Sequence, residues 1–280
     1  MRERARAKIN LFLHLGERRS DGYHELESLV AFAGIGDELS FAPSDALSLA
    51  MDGPFAPSLQ NESGNLVLKA AQALAANAGI SPNAKIALTK NLPVASGIGG
   101  GSADAAAALR GLCRLWKLSP LRDALDEIAL SLGSDVPVCL QSKSAWMTGR
   151  GEHVAPISLP RISMVLVNPG VAVSTAGVFA KLQSRSGTGH PKPDDIASAT
   201  DLAAYLKTTA NDLEAPACEI APVIEEALTA LLNTGALLAR LSGSGATCFG
   251  LYERDADAER AANTIAKTRK GWWARSTFIP

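Results

Sequence analysis

Pro93-Val94-Ala95-Ser96-Gly97-Ile98-Gly99-Gly100-Gly101-Ser102-Ala103-Asp104 sets four glycines in five positions directly ahead of an alanine-rich segment, residues 102–116. Glycine reaches positive φ without penalty and lets another group approach the backbone closely. The segment that follows has helical spacing, with Ala105, Leu109, Leu112, Cys113 and Trp116 on one face. A run of backbone N–H groups ending at a helix N-terminus is an anion cradle. The stretch lacks the Ser, Pro and charge content of a disordered linker. A nucleotide phosphate is the anion it fits.

Two familiar phosphate loops do not fit. A Walker A loop ends in Gly-Lys-Ser/Thr, whereas Gly101 is followed by Ser102 and Ala103. A dinucleotide fingerprint needs a third glycine where Ser102 stands, and Pro93 makes the preceding segment a poor central strand. Any cation for the phosphates therefore comes from elsewhere in the chain.

With 280 residues the chain can hold one large or two modest domains. Its formal charge of −1, with scattered Lys and Arg, lacks the basic footprint of a nucleic-acid binder. No apolar run approaches the ~20 residues that span a bilayer. Residues 1–7 are arginine-rich and 9–15 apolar, but Asn10 and His14 interrupt that run, so it reads as a strand rather than a signal core. Cys113, Cys139, Cys218 and Cys248 are far apart in sequence and make no metal-ligand spacing. They are expected to be reduced thiols of a cytoplasmic protein.

Strand and helix signals interleave. Residues 5–15 alternate, and 28–41 contain extended apolar pieces. Helices are expected at 65–78, at 121–132 with Ser119 as cap and Pro120 in the first turn, at 222–233 with Val223, Ile224, Ala227, Leu228, Leu231 and Leu232 inward, and at 255–270. Strands are expected at 162–167, 237–241, 247–252 and 273–279. Residues 184–198, with two glycines and two prolines, read as a mobile surface excursion. The mixture is α+β, with a boundary near 153–162.

Several short constellations can carry chemistry. On the first strand Lys8, Asn10 and Phe12 share the face opposite Ala7, Ile9, Leu11 and Leu13. Lys8 is there either an edge-strand gatekeeper or a functional cation. Asp21-Gly22 is a turn signal that puts Tyr23 and His24 on exposed backbone. That pair is either ordinary loop or a surface for a planar base. Gly133 ends a helix and leaves Asp135 just beyond it, where the dipole does not favour an anion. Solvation or a nearby lysine would explain its place. Residues 241–247, Leu-Ser-Gly-Ser-Gly-Ala-Thr, are accounted for by a hairpin turn, a second glycine-rich approach to a ligand being the less economical alternative.

Taken together, these segments resemble the GHMP small-molecule kinases. The resemblance rests on 7–11, 21–24, 93–102, 133–137 (Gly-Ser-Asp-Val-Pro), 168–170 (Asn-Pro-Gly), 211–214 (Asn-Asp-Leu-Glu) and 241–247, in the family's order over nearly the whole chain. The Asp-Gly-Tyr-His turn together with Gly-Ser-Asp-Val-Pro points to members whose alcohol substrate carries a cytidine diphosphate. The fold this implies is two-domain α+β: 1–157, ribosomal protein S5 domain 2-like, and 158–280, ferredoxin-like.

The resemblance also implies roles. Asp135 would take a proton from the substrate hydroxyl, while Lys8 holds Asp135 ionised and offsets charge on the moving phosphoryl group. Residues 93–103 (Pro93, Val94, Ala95, Ser96, Gly97, Ile98, Gly99, Gly100, Gly101, Ser102, Ala103) would hold ATP, accompanied by Mg²⁺. Asn65 and Lys90 would lie near the adenosine. Tyr23, His24 and Phe179 would hold the cytidine, and Asn10 and Thr175 the other end of that substrate. No residue is marked as a magnesium ligand. The implied partner is a small-molecule substrate, with no nucleic acid, membrane or obligate protein partner. Two departures stand out: Val30 where relatives often carry an aromatic residue, and Ser102-Ala103-Asp104 where Ser-Ser-Asn is more usual. A kinase for another small alcohol, of the homoserine or mevalonate type, and a non-catalytic nucleotide-binding protein are the alternatives.

Overall fold

The apolar alternation at the N-terminus becomes three strands, β1 (Arg2–Asn10), β2 (His14–Arg18) and β3 (His24–Ala42). These lie in a computed structural model that describes residues 1–20, 22, 24–59 and 64–280. Strand β4 (Ser48–Asp52), helix α1 (Leu66–Ala78), strand β5 (Lys85–Thr89) and helices α2 (Gly100–Leu115), α3 (Arg122–Leu132) and α4 (Val136–Gln141) follow. The chain divides into two compact units. One holds Met1–Lys8, Ile35–Val94 and Gly99–Ser142; the other holds Ile9–Gly34, Ala95–Ile98 and Lys143–Pro280.

In the first unit the later part of β3 pairs antiparallel with β5, Leu39 opposite Leu88 and Phe41 opposite Ile86. All four side chains are buried, the outcome expected when one face of an alternating strand meets a core. Helix α2 buries a run of small residues, Ala103 and Ala105–Ala108, with Leu109 and Leu112. Gly111 stands inside this helix, where glycine costs about 1 kcal/mol relative to alanine. Its reason is packing: a Cβ there would sit 2.3 Å from the Phe41 ring.

In the second unit β6 (Ala145–Gly149) pairs with the early part of β3 and with β7 (His153–Pro156). Next come β8 (Ile162–Asn168), α5 (Thr175–Ala180), α6 (Ala199–Leu206), α7 (Glu214–Ile220) and α8 (Val223–Asn233). The chain ends with β9 (Leu238–Leu241), β10 (Cys248–Tyr252), α9 (Asp255–Thr268) and β11 (Trp273–Ile279). Their sheet is antiparallel in the order β11-β8-β10-β9. Every residue of β8 is buried, as its unbroken apolar run requires.

Four expectations change. Helix α3 starts at Arg122 after Leu121, whose side chain is exposed, so Ser119 does not cap it and Leu121 leaves the apolar stripe. Leu232 on α8 is exposed, because the helix buries only a narrow stripe led by Ile224, Ala227 and Leu231. Helix α2 begins two residues earlier than residue 102, with Gly99 as its N-cap. Finally, 184–198 has no regular structure but is tied down. Glu27 accepts from Gly189 N and His190 N at 2.9 and 2.8 Å, Asp212 holds Ser186 N at 2.9 Å, and Tyr205 donates to Pro191 O at 2.8 Å. Those anchors lie elsewhere in the sequence, so the segment's own composition gives no sign of them.

Candidate active site

In the first unit Lys8 is 4% exposed on β1. Burying an ammonium costs several kcal/mol unless a partner offsets it, and Asp135 is that partner, its Oδ2 2.7 Å from Lys8 Nζ. The gatekeeper reading of Lys8 therefore falls: an edge lysine stays in water. Asp135 is one-third exposed, so the pair is open on the aspartate side. Its location also differs from the expected one. Asp135 is the residue before α4, at the positive end of that helix rather than against a dipole. The exit after Gly133 is the start of another helix, and Pro137 occupies its first turn.

The loop ahead of α2 reaches this pair through Gly99. Its φ is +61°, and a Cβ there would lie 3.2 Å from Lys8 Cβ. The first N–H groups of α2, from Gly100, Gly101 and Ser102, belong to the turn that has no intrahelical acceptors. They form the anion-facing end of the helix. Ala103 is buried, so its side chain is turned away from any phosphate at the loop surface. Asn65 caps α1, its Oδ1 accepting from Val67 N at 2.9 Å.

Lys90 is 2% exposed and is already engaged. Its Nζ donates to Asp37 and, at 2.7 Å, to Asp104 Oδ2. Burial lowers the Lys90 pKa, but the charges of Asp104 and Asp37 outweigh it and leave the ammonium above its ordinary value. Burial pushes Asp104 up to about 7; Lys90 pulls it down and Asp37 raises it again.

In the second unit the segment 95–98 is held by the turn between β9 and β10. Thr247 N donates to Ser96 O at 3.0 Å, and Ser242 Oγ donates to Gly97 O at 3.0 Å. Ser242 Oγ in turn accepts from Asn10 N at 3.1 Å, and the Asn10 side chain donates to Ser28 Oγ at 2.8 Å. Asn211 Nδ2 braces the same turn by donating to Leu241 O and Gly243 O at 2.9 and 2.8 Å. The turn is thus more than a hairpin connection: it carries part of the glycine loop.

His24, the first residue of β3, stacks on Phe179 with ring centroids 5.4 Å apart and planes 27° apart. Its pKa is lowered, first by burial and then by the Arg185 and Arg18 charges, so the imidazole is neutral at physiological pH. Thr175 Oγ1 lies 2.8 Å from Ser244 Oγ. Tyr23 lies outside the described residues. Val30 is fully buried opposite Ala145. Sequence reasoning gave Asp37, Ser242 and Asn211 no role. Asn211 and Ser242 lie in the segments 211–214 and 241–247 that carry the resemblance, and Asp37 shows as an acid in a strand that is otherwise largely apolar.

Residues 65–143 match the GHMP kinases N terminal domain, and 197–270 match the GHMP kinases C terminal. The chain is 51% identical to the 4-diphosphocytidyl-2-C-methyl-D-erythritol kinase of Parvibaculum lavamentivorans, over 97% of this chain and 95% of that protein. The chain belongs to the GHMP kinases. The enzyme of the same name from Rhodospirillum rubrum is 48% identical over 97% of this chain and 90% of its own length. A crystal structure of 4-(cytidine 5'-diphospho)-2C-methyl-D-erythritol kinase superimposes with a TM-score of 0.81 at 33% identity, covering all of both chains. This GHMP kinase is a phosphotransferase with the family's α+β fold. No helix among its described residues is long and apolar enough to cross a membrane.

Proposed function

We propose that this kinase transfers a phosphoryl group from ATP to the 2-hydroxyl of 4-diphosphocytidyl-2-C-methyl-D-erythritol, in non-mevalonate isoprenoid precursor synthesis. One observation carries the chemistry: the buried Lys8 paired at 2.7 Å with a partly open Asp135. Phosphoryl transfer asks a protein for positioning and charge neutralisation rather than covalent help. Asp135 accepts the hydroxyl proton as the oxygen attacks. Lys8, paired with Asp135, offsets negative charge as it spreads over the phosphoryl oxygens.

Residues 93–103, with the N-terminus of α2, hold the triphosphate through backbone N–H groups. Asn65 lies toward the adenosine. Lys90 acts on the nucleotide from behind the loop, since its amine is held by two carboxylates. Mg²⁺ accompanies ATP, supplying charge neutralisation on phosphate oxygens when bound. Magnesium is commonly held by substrate phosphates with only one or two protein oxygens, which suits a loop built from glycine and alanine. The His24–Phe179 stack, with Tyr23, receives the cytosine, and Asn10 and Thr175 the remainder of that substrate. The partition at 157/158 separates the two family segments. Four free cysteines, three of them buried, support a reducing, cytoplasmic setting. A small-molecule substrate without an obligate protein partner completes the reading.

The test is ADP release with Mg-ATP and each of three alcohols: the cytidine-linked substrate, homoserine and mevalonate. Turnover with the first alone supports the reading; preference for either of the others overturns it. His24→Ala probes the base site separately. Base–aromatic stacking contributes about 1–3 kcal/mol, so KM for the cytidine substrate should rise roughly 10- to 100-fold with KM for ATP unchanged. Equal loss of both affinities removes His24 from the cytosine site.

A further inference from the structure

Asp37, Lys90 and Asp104 come from three separate elements and meet in the core of the first unit. Asp37 is on β3, Lys90 follows β5, and Asp104 is on α2. Asp37 is 0% exposed and does more than bind Lys90: its Oδ1 accepts from Asn91 N and Leu92 N at 2.6 and 2.8 Å. It therefore fixes the backbone that leads into the glycine loop. Asp104 sits five residues into α2, the helix that leaves that loop. Lys90 bridges the two, so entry and exit of the loop are joined through one ammonium. A Cβ at Gly100 would lie 3.6 Å from Lys90 Nζ and 3.9 Å from Asp37 Oδ2, so the cluster lies directly behind the first turn of α2.

Two carboxylates and one ammonium leave this buried cluster with a net charge of −1 when all three are ionised. Asp104 Oδ1 has no hydrogen-bond partner among the described residues, which makes its ionised form costly. Asp104 and Asp37 both bind Lys90 Nζ, so one ammonium faces two carboxyl groups. The Asp37 charge beside it favours the protonated form of Asp104. Cys139 on α4 is the further titratable group facing Asp104; burial pushes its thiol up to about 12, so it stays neutral. The charges of Asp135, Lys8 and Arg110 also act on that thiol.

We propose that Asp104 is a positioning residue for the nucleotide, taking up one proton from solvent when a triphosphate binds at the start of α2, and that Lys90 and Asp37 transmit that change to the loop. An arriving polyanion disfavours a buried net negative charge behind its binding turn, and the proton removes it. The inference rests on the assignment of residues 93–103 to the triphosphate. An asparagine at this position would hold Lys90 without titrating, so the proton linkage rests on the Asp104 carboxyl.

The experiment is calorimetric titration of the full chain with a non-hydrolysable ATP analogue, in buffers of different ionisation enthalpy, from pH 6 to pH 8. Wild type is expected to take up a fraction of a proton near pH 7 and to bind the analogue about tenfold more weakly at pH 8 than at pH 6, one decade per pH unit being the limit for a single linked proton. Asp104→Asn should lose the uptake and flatten that dependence, with the kinetic effect in KM for ATP rather than in kcat.

Thermal melts supply the control. The folded Asp104 pKa lies above its unfolded value, so its stabilising contribution is present below the unfolded pKa and lost as pH rises through about 7. Asp104→Asn should therefore raise Tm relative to wild type at pH 8 more than at pH 5. A Tm difference with identical proton uptake and identical pH dependence of binding in both proteins makes the cluster merely structural and overturns the inference. Failure of wild type to bind the analogue at all overturns instead the assignment of the loop.

Discussion

Asp135→Asn is expected to lower kcat by roughly 10²–10⁴-fold, the scale of losing a general base, while ATP affinity stays near wild type. The amide is the same size as the carboxylate and can still accept a hydrogen bond from Lys8 Nζ, which now lies 2.7 Å from Asp135 Oδ2. What it cannot do is take the hydroxyl proton. Asp135 is also one-third exposed, so water compensates part of the lost charge and the fold should survive. Steady-state kinetics with a melt of the same sample decides the matter. Undiminished kcat in a folded variant removes Asp135 as the base. A collapsed melt would assign the pair to stability, in which case the partner substitution Lys8→Met, which keeps the apolar stem, should restore folding of the double variant without activity.

The second large effect concerns the loop. Gly97 has φ +75°, and an added Cβ would fall 2.3 Å from Ser242 O and 2.7 Å from Gly245 N. Those are backbone atoms of a turn that Asn211 and Thr247 already hold, so neither can move cheaply. Gly97→Ala thus combines a left-handed backbone, costing about 1 kcal/mol for alanine, with a main-chain clash. A destabilisation of roughly 2–4 kcal/mol is expected, with ATP affinity at least tenfold weaker. Gly187→Ala is the comparison: its φ is +78°, but an added Cβ meets nothing within 4 Å. It should cost only the backbone term. Equal denaturation midpoints for the two variants would show that the contact with the 242–245 turn is unimportant.

The contrast between these glycines shows what the sequence made legible. Residues 93–104 announced their loop because four glycines and a helix start are local features. So were Asn65 ahead of its helix and the apolar run of β8. Lys8 and Asp135 were visible as residues needing an explanation, but their pairing joins the first strand to a turn far along the chain, and no local pattern encodes that. The same limit explains Lys90. Its surroundings in sequence are ordinary, and what decides its state is Asp37 from one element and Asp104 from another. The tie-down of 184–198 failed to show for this reason too, since Glu27 and Asp212 supply the anchors. Asp135 was misplaced relative to the helix dipole because α4 has only six residues, too few for periodicity to reveal.

The most direct test of the central claim is a single-product assay of the wild-type chain with Mg-ATP and 4-diphosphocytidyl-2-C-methyl-D-erythritol. ADP is quantified, the product mass is recorded, and the phosphorylated position is read by phosphorus–carbon coupling. The account predicts one ADP per product, a mass increase of one phosphoryl group, and the new phosphate on the 2-oxygen. ADP release that ignores the alcohol, or a substrate recovered at unchanged mass, would contradict it.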